Sequence, residues 1–232
     1  LVQWRNDERA KKRILRDAKL LASLKEPNIM SVLDCGLDGT VPYLVQELLE
    51  GETLEQYLDA KGQLELDEAL SIGLQVAQGV AKAHEAGILH GNVKPATVFC
   101  TTTGYVKLLD FGLAKGPVFD TATATSNVVE IPDYKAPETL KRGNITQASD
   151  IYCLGCLLYV MVTGKYPQQM KIGKRAPSVA SSSKGKVLPK LAQLIDKMVA
   201  VSPAKRPAKA REVVKVLQDC GPKRASGTTP LP

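Results

Sequence analysis

The 232-residue chain carries 31 Lys and Arg against 24 Asp and Glu, a formal charge of +7, with 44% apolar and 24% charged residues. These are the proportions of an ordinary globular chain, long enough for one large domain or a modest two-lobed one, and no apolar run approaches the ~20 residues of a membrane span. The basic clusters Arg9–Arg13, Lys171–Arg175 and Lys205–Arg211 have no interleaved aromatics, so a solvated basic surface without a nucleic-acid partner is expected.

The chain begins at Leu1 rather than Met and shows no signal peptide, so a cytoplasmic piece of a longer protein is expected. Residues 1–5 (LVQWR) read as the end of a strand. Asn6 or Asp7 can cap a helix running to Glu26, with Ile14, Ala18, Leu21 and Leu24 on one face. Residues 30–49 alternate as a hairpin with its turn at 36–40 and a second strand from Pro42 to Leu49. A short amphipathic helix follows from Thr53 to Lys61. A long one runs from Leu66 to Ala86, with Leu70, Leu74, Ala77, Ala81 and His84 in a stripe and Gly73 and Gly79 allowing close approach. His84 reads as a packed or surface histidine, because nothing near it in sequence completes a nucleophile pair. The almost wholly apolar run from Ser149 ends at Thr163-Gly164 and reads as a buried helix. Within it, Cys153 and Cys156 spell C-x-x-C, but no second pair or nearby histidine completes a metal site. The five cysteines are expected as reduced, mostly buried thiols. Residues 165–187 are polar and weakly periodic, two helices are expected within 188–219, and 221–232 reads as a flexible tail.

Two stretches carry chemistry. His90-Gly91-Asn92-Val93-Lys94-Pro95 is a polar turn after the long helix, and Leu108-Leu109-Asp110-Phe111-Gly112 is an apolar strand ending in a carboxylate and a glycine. Ala136-Pro137-Glu138 follows downstream. In this order they resemble the catalytic loop H-R-D-L-K-P-x-N, the metal-binding D-F-G turn and the A-P-E of Hanks-type, bacterial-like Ser/Thr protein kinases. The resemblance extends over residues 7–219. It implies an α+β, two-lobed kinase-like fold, with a truncated small N-lobe of helix αC and a few antiparallel strands and a mainly helical C-lobe. The partial N-lobe would occupy residues 1–47 and the C-lobe 48–220, followed by the tail at 221–232.

The family pattern also assigns roles. Asp17 falls where helix αC has its glutamate, after which Pro27-Asn28-Ile29 matches the H-P-N-I turn. Gln46 would be the gatekeeper, backbone groups near Glu47 and Leu49 would meet adenine, and Phe99 would line that pocket. His90 and Phe111, with Leu21, would form an apolar spine. Asp150 would accept hydrogen bonds from the catalytic loop, and Arg206, in Ser202-Pro203-Ala204-Lys205-Arg206-Pro207, would pair with Glu138. Lys94 would contact the transferred phosphate and Asp110 would ligate the metal. Thr121, Thr123, Thr125 and Ser126 lie where the family is often phosphorylated; the alternative is a polar loop with no switch.

The pattern departs where phosphoryl transfer is carried out. The carboxylate that accepts the substrate proton is Asn92, whose amide has no useful basicity near neutral pH. The amide that holds a metal ion is Thr97, a poorer ligand for a hard dication. The preceding arginine is Gly91, Ile131 replaces a bracing threonine, and no G-x-G-x-x-G occurs in these residues. The resemblance therefore implies a degenerate, pseudokinase-like domain acting as a scaffold or regulatory module. Its expected partners are proteins: a kinase, a phosphopeptide-binding protein or another signalling protein. No resident cofactor is expected, and ATP and Mg²⁺ enter only as residual binding. The alternative is a weak or unconventional ATP-dependent Ser/Thr kinase whose phosphate loop, and the strand lysine that would partner the αC position at Asp17, lie outside these residues.

Overall fold

The computed structural model describes residues 8–39, 41–111, 134–140, 144–166, 177–183 and 185–221. Helix α1 (Glu8–Ser23) buries Ala18 and Leu21. It stops three residues short of the expected Glu26, because the approach to Pro27 disfavours helical backbone. Strands β1 (Val32–Asp38) and β2 (Val41–Gln46) form the expected antiparallel hairpin, pairing Cys35 with Leu44 and Gly36 with Tyr43. The second strand ends at Gln46 rather than Leu49. Beyond it Glu47 leaves the ladder and donates its amide to the Ser31 carbonyl at 3.1 Å.

Strand β3 (Gly51–Thr53), which periodicity does not reveal, leads into α2 (Leu54–Lys61). Thr53 caps that helix: its hydroxyl accepts the Gln56 amide at 3.3 Å, while the Gln56 side chain accepts the Thr53 amide at 2.9 Å. The long helix α3 (Leu66–Glu85) then crosses to β4 (Val98–Thr101) and β5 (Val106–Leu108), which join β3 in the antiparallel order β3-β4-β5. After the short α4 (Pro137–Leu140) comes α5 (Gln147–Thr163), which begins two residues before the expected Ser149 because Thr146 caps it. Helices α6 (Val179–Ser182), α7 (Pro189–Met198) and α8 (Ala210–Cys220) complete the larger part. The described part of 165–187 thus holds a single-turn helix, in keeping with its weak periodicity.

Every residue of α5 from Ser149 to Thr163 is buried. A helix that is apolar all round has to lie at the centre, and α3, α6 and α7 pack around it while α8 packs on α3. The five cysteines are free thiols. Burial pushes Cys153 well above its ordinary value and Cys100 up to about 12, as expected of inert core thiols. Among the described residues no cluster of His, Cys, Asp and Glu could hold a metal ion, and no helix is long and apolar enough to cross a membrane.

The turn after α1 fixes that helix against the larger part. Asn28 Nδ2 donates to the Val106 carbonyl at 2.8 Å and to Gln75 Oε1 at 3.1 Å. Leu108 donates to the Asn28 carbonyl and accepts from the Met30 amide, each at 3.0 Å, making a parallel bridge between Ile29 and Leu108. This approach requires Gly79 in α3. A Cβ there would meet the Asn28 carbonyl oxygen at 2.8 Å and Leu108 Cδ1 at 2.9 Å. Gly79→Val is therefore expected to destabilise the fold by about 2–3 kcal/mol through overpacking, read as a lower urea midpoint; an unchanged midpoint argues against this packing.

Candidate functional site

The Asp150 carboxylate, fully buried at the start of α5, gathers the polar turn 90–95 around itself. Oδ1 accepts the Gly91 amide at 2.7 Å, and Oδ2 accepts the His90 amide at 2.9 Å and lies 2.9 Å from His84 Nε2. A carboxylate can only accept, so Nε2 of His84 carries the proton. Its Nδ1 is buried with no hydrogen-bond partner among the described residues. His84 is thus a strut of the loop, a role the sequence reading missed. The available signal was its place at the buried end of the α3 stripe, six residues before His90.

Burial pushes the His90 imidazole below its ordinary value, so the ring is neutral at pH 7. Its Nδ1 accepts the Asn92 amide at 3.2 Å, and its ring lies 4.4 Å from that of Phe111. Phe111 and Leu21 are both buried in the main hydrophobic core. Gly91 sits at φ 78°, and a Cβ there would lie 2.9 Å from Ile145 Cδ1. A larger residue at 91 would have to adopt a left-handed backbone and displace Ile145.

Thr97 is buried, and its hydroxyl lies 2.8 Å from the Asn92 carbonyl and 3.0 Å from that of Lys94, while accepting the Lys94 amide at 3.1 Å. Its own carbonyl accepts the Leu109 amide at 2.9 Å, tying the turn to the strand that delivers Asp110. The hydroxyl offered in sequence as a degenerate metal ligand is engaged by the loop's own backbone. Asp110 is exposed and has φ 56°, the one left-handed non-glycine among the described residues. Aspartate tolerates this conformation better than most residues, and the buried Phe111 beside it holds the turn. The half-buried Lys94 makes no ion pair among the described residues. Gly112 and the candidate phosphosites Thr121, Thr123, Thr125 and Ser126 lie outside the described residues.

In the segment after β2, the backbone bonds of the described residues use neither the Glu47 carbonyl nor the Leu49 amide. The Glu47 side chain turns to Lys107 Nζ at 2.6 Å and the Ser31 amide at 2.7 Å. Burial pushes this carboxyl up, but those hydrogen bonds outweigh it and hold Glu47 below its ordinary value. Phe99, in β4, is the register partner of both Thr53 and Lys107. Among the described residues the Asp17 carboxylate takes Arg16, its chain neighbour, at 3.0 Å, and no residue of another element. The described residues thus leave one backbone acceptor and one backbone donor without a backbone partner in this segment, while the Asp110 carboxylate is exposed and the Thr97 hydroxyl is engaged.

The framework below is intact. Arg206, its side chain fully buried, meets Glu138 in a two-point ion pair, Nη1 to Oε1 at 2.6 Å and Nη2 to Oε2 at 2.8 Å. It also donates to the carbonyls of Ala148, Ala200 and Val201 and lies 4.8 Å from the centre of the Tyr152 ring.

Known proteins resemble this chain in sequence and fold. Residues 2–217 match the family model described as the protein kinase domain. The chain is a member of the protein kinase family. It is 37% identical over 177 residues to the Ser/Thr-protein kinase PrkC of Bacillus subtilis, covering 76% of this chain and 27% of PrkC. It is 32% identical over 213 residues to the Ser/Thr-protein kinase PknL of Mycobacterium tuberculosis, covering 89% of this chain and 53% of PknL. The chain therefore spans only about a quarter to a half of these relatives. In fold it resembles the crystal structure of the M. tuberculosis PknI kinase domain, with a TM-score of 0.73 at 23% identity over 94% of this chain and 82% of that one. The architecture is accordingly that of a bacterial-type Ser/Thr kinase, its small lobe represented among the described residues by α1, β1 and β2.

In this kinase-family chain, Arg206→Met leaves Glu138 in its pocket without a counter-charge. Because Glu138 is 24% exposed, the expected loss lies near the lower end for broken buried pairs, about 3 kcal/mol by urea unfolding. Burial pushes the Glu138 carboxyl up, and the Arg206 hydrogen bonds overcome this and hold it below its ordinary value of 4.5. A depressed carboxylate contributes stability that is complete above the unfolded value and lost as pH falls through the folded one. Melting temperature should therefore drop on acidification below about pH 4.5, and less steeply in Arg206→Met; parallel acid limbs would contradict the assignment.

Proposed function

We propose that this chain is a pseudokinase-type domain, impaired in phosphoryl transfer, that acts as a regulatory or scaffolding module through contacts with signalling proteins. The observation that carries the reading is a carboxamide, Asn92, held in a loop whose supports are all in place. Phosphoryl transfer needs a group to orient the incoming hydroxyl and charge to stabilise the transferring phosphoryl. Asn92 can orient a hydroxyl but cannot take its proton. Thr97, with its hydroxyl on the loop backbone, supplies no side-chain carbonyl for a second ion. A kinase or a phosphopeptide-binding protein is the partner class that fits a kinase scaffold with diminished chemistry.

The test is phosphate transfer from labelled ATP, with Mg²⁺ or Mn²⁺, to itself or a generic Ser/Thr substrate. Transfer is expected at background, with Asp110→Ala changing nothing. Transfer abolished by Asp110→Ala would instead establish the weak-kinase alternative. A second reading, nucleotide binding without transfer, is favoured by the unengaged Glu47 carbonyl and Leu49 amide. Saturable binding of mant-ADP by the parent chain supports it, and its absence at millimolar nucleotide removes it.

A further inference from the structure

We propose that Lys107 is a positioning residue for the adenine edge of the cleft, acting through its ion pair with Glu47. The proposal rests on the reading that this cleft takes an adenine nucleotide without transferring phosphate. Three segments meet at one carboxylate oxygen. Glu47 Oε1 accepts Lys107 Nζ at 2.6 Å from β5 and the Ser31 amide at 2.7 Å from the segment after α1. The Glu47 amide returns a bond to the Ser31 carbonyl at 3.1 Å. Glu47 is thus fixed by both its side chain and its amide. These contacts hold the Cα from which the Glu47 carbonyl leaves.

The same knot relates the two ends of the cleft. Lys107 lies three residues before Asp110 and is the register partner of Phe99. The neighbouring Leu108 is bonded to Asn28 and Met30. The Glu47 segment, Phe99 and the strand carrying Asp110 are therefore indexed to one ammonium group. The pair is sheltered, with Lys107 14% and Glu47 26% exposed. It is thereby less screened than a surface pair and better able to hold a geometry.

Three variants separate positioning from mere support. Lys107→Met removes the anchor, and Lys107→Arg keeps the charge. Lys107→Met with Glu47→Gln removes the unpaired charge while leaving an acceptor for Ser31. Mant-ADP affinity and melting temperature are measured for each full chain. Lys107→Met is expected to weaken mant-ADP binding about tenfold, near the upper end of what one hydrogen bond contributes, and Lys107→Arg to restore it. The double variant should recover melting temperature but not affinity. Unchanged affinity in Lys107→Met, or affinity that recovers together with melting temperature, overturns the proposal.

If the parent chain binds no mant-ADP, the nucleotide reading fails separately. Hydrogen exchange then decides the positioning claim in the free protein. The Glu47 amide should exchange about tenfold faster in Lys107→Met and at the parent rate in Lys107→Arg; equal rates in all three overturn it.

Discussion

The rest of this structure depends on the carboxylate of Asp150. Taken from water without partners, a carboxylate at zero exposure is untenable in its ionised form. Here His84 Nε2 and two consecutive backbone amides, those of His90 and Gly91, surround it. Two of those donors are main-chain groups, so the demand falls on the path of the chain, and the side chain of Asn92 contributes nothing to it. The energetic requirement that shapes the loop is thereby separated from the chemistry the loop displays. A chain can exchange the groups it presents to a substrate and still satisfy Asp150.

The departures from the kinase pattern fit that separation. Gly91 occupies a left-handed backbone position against Ile145, where glycine carries no steric penalty. Thr97 closes the loop from within, its hydroxyl on the loop's carbonyls and its own carbonyl on Leu109. These residues suit a stable loop more than a reactive one. The two-point Arg206–Glu138 pair fixes the surroundings of α4 and α5 independently of either. Stability and chemistry are held by different residues, and the framework set is complete.

Periodicity and motif spacing conveyed much of this. The apolar run 149–163 and the stripe on 66–85 gave the helices at the centre, because burial of whole faces is a local property of sequence. His90, Asp150, Glu138 and Arg206 were legible because their spacing in the family pattern fixes which elements carry them. Element ends were less so: α1 and β2 stop early where Pro27 and Glu47 redirect the chain. Strand β3 has only three residues and no pattern of its own, and it exists because Cys100 and its neighbours pair with it. His84 and Lys107 were missed for a common reason. Each acts through a partner 60 or more residues away in sequence, and no local pattern encodes such a pairing.

The attachment of α1 bears on what such a domain can transmit. Two sites are coupled only through an element whose equilibrium both can bias. Asp17, the residue of α1 that the family pattern would couple to the cleft, is paired with Arg16 on the same helix, and the Arg16 side chain is 70% exposed. A pair of that kind contributes little and reports nothing beyond α1. Helix α1 packs on the β1–β2 hairpin, and the segment that follows it is tied to the larger part by the Asn28 clasp on Gln75 and Val106 and by the bridge to Leu108. Those bonds lie on the β5 side, next to Lys107. Any coupling between α1 and the turn 90–95 would therefore run through the strand that delivers Asp110 and the segment at Glu47.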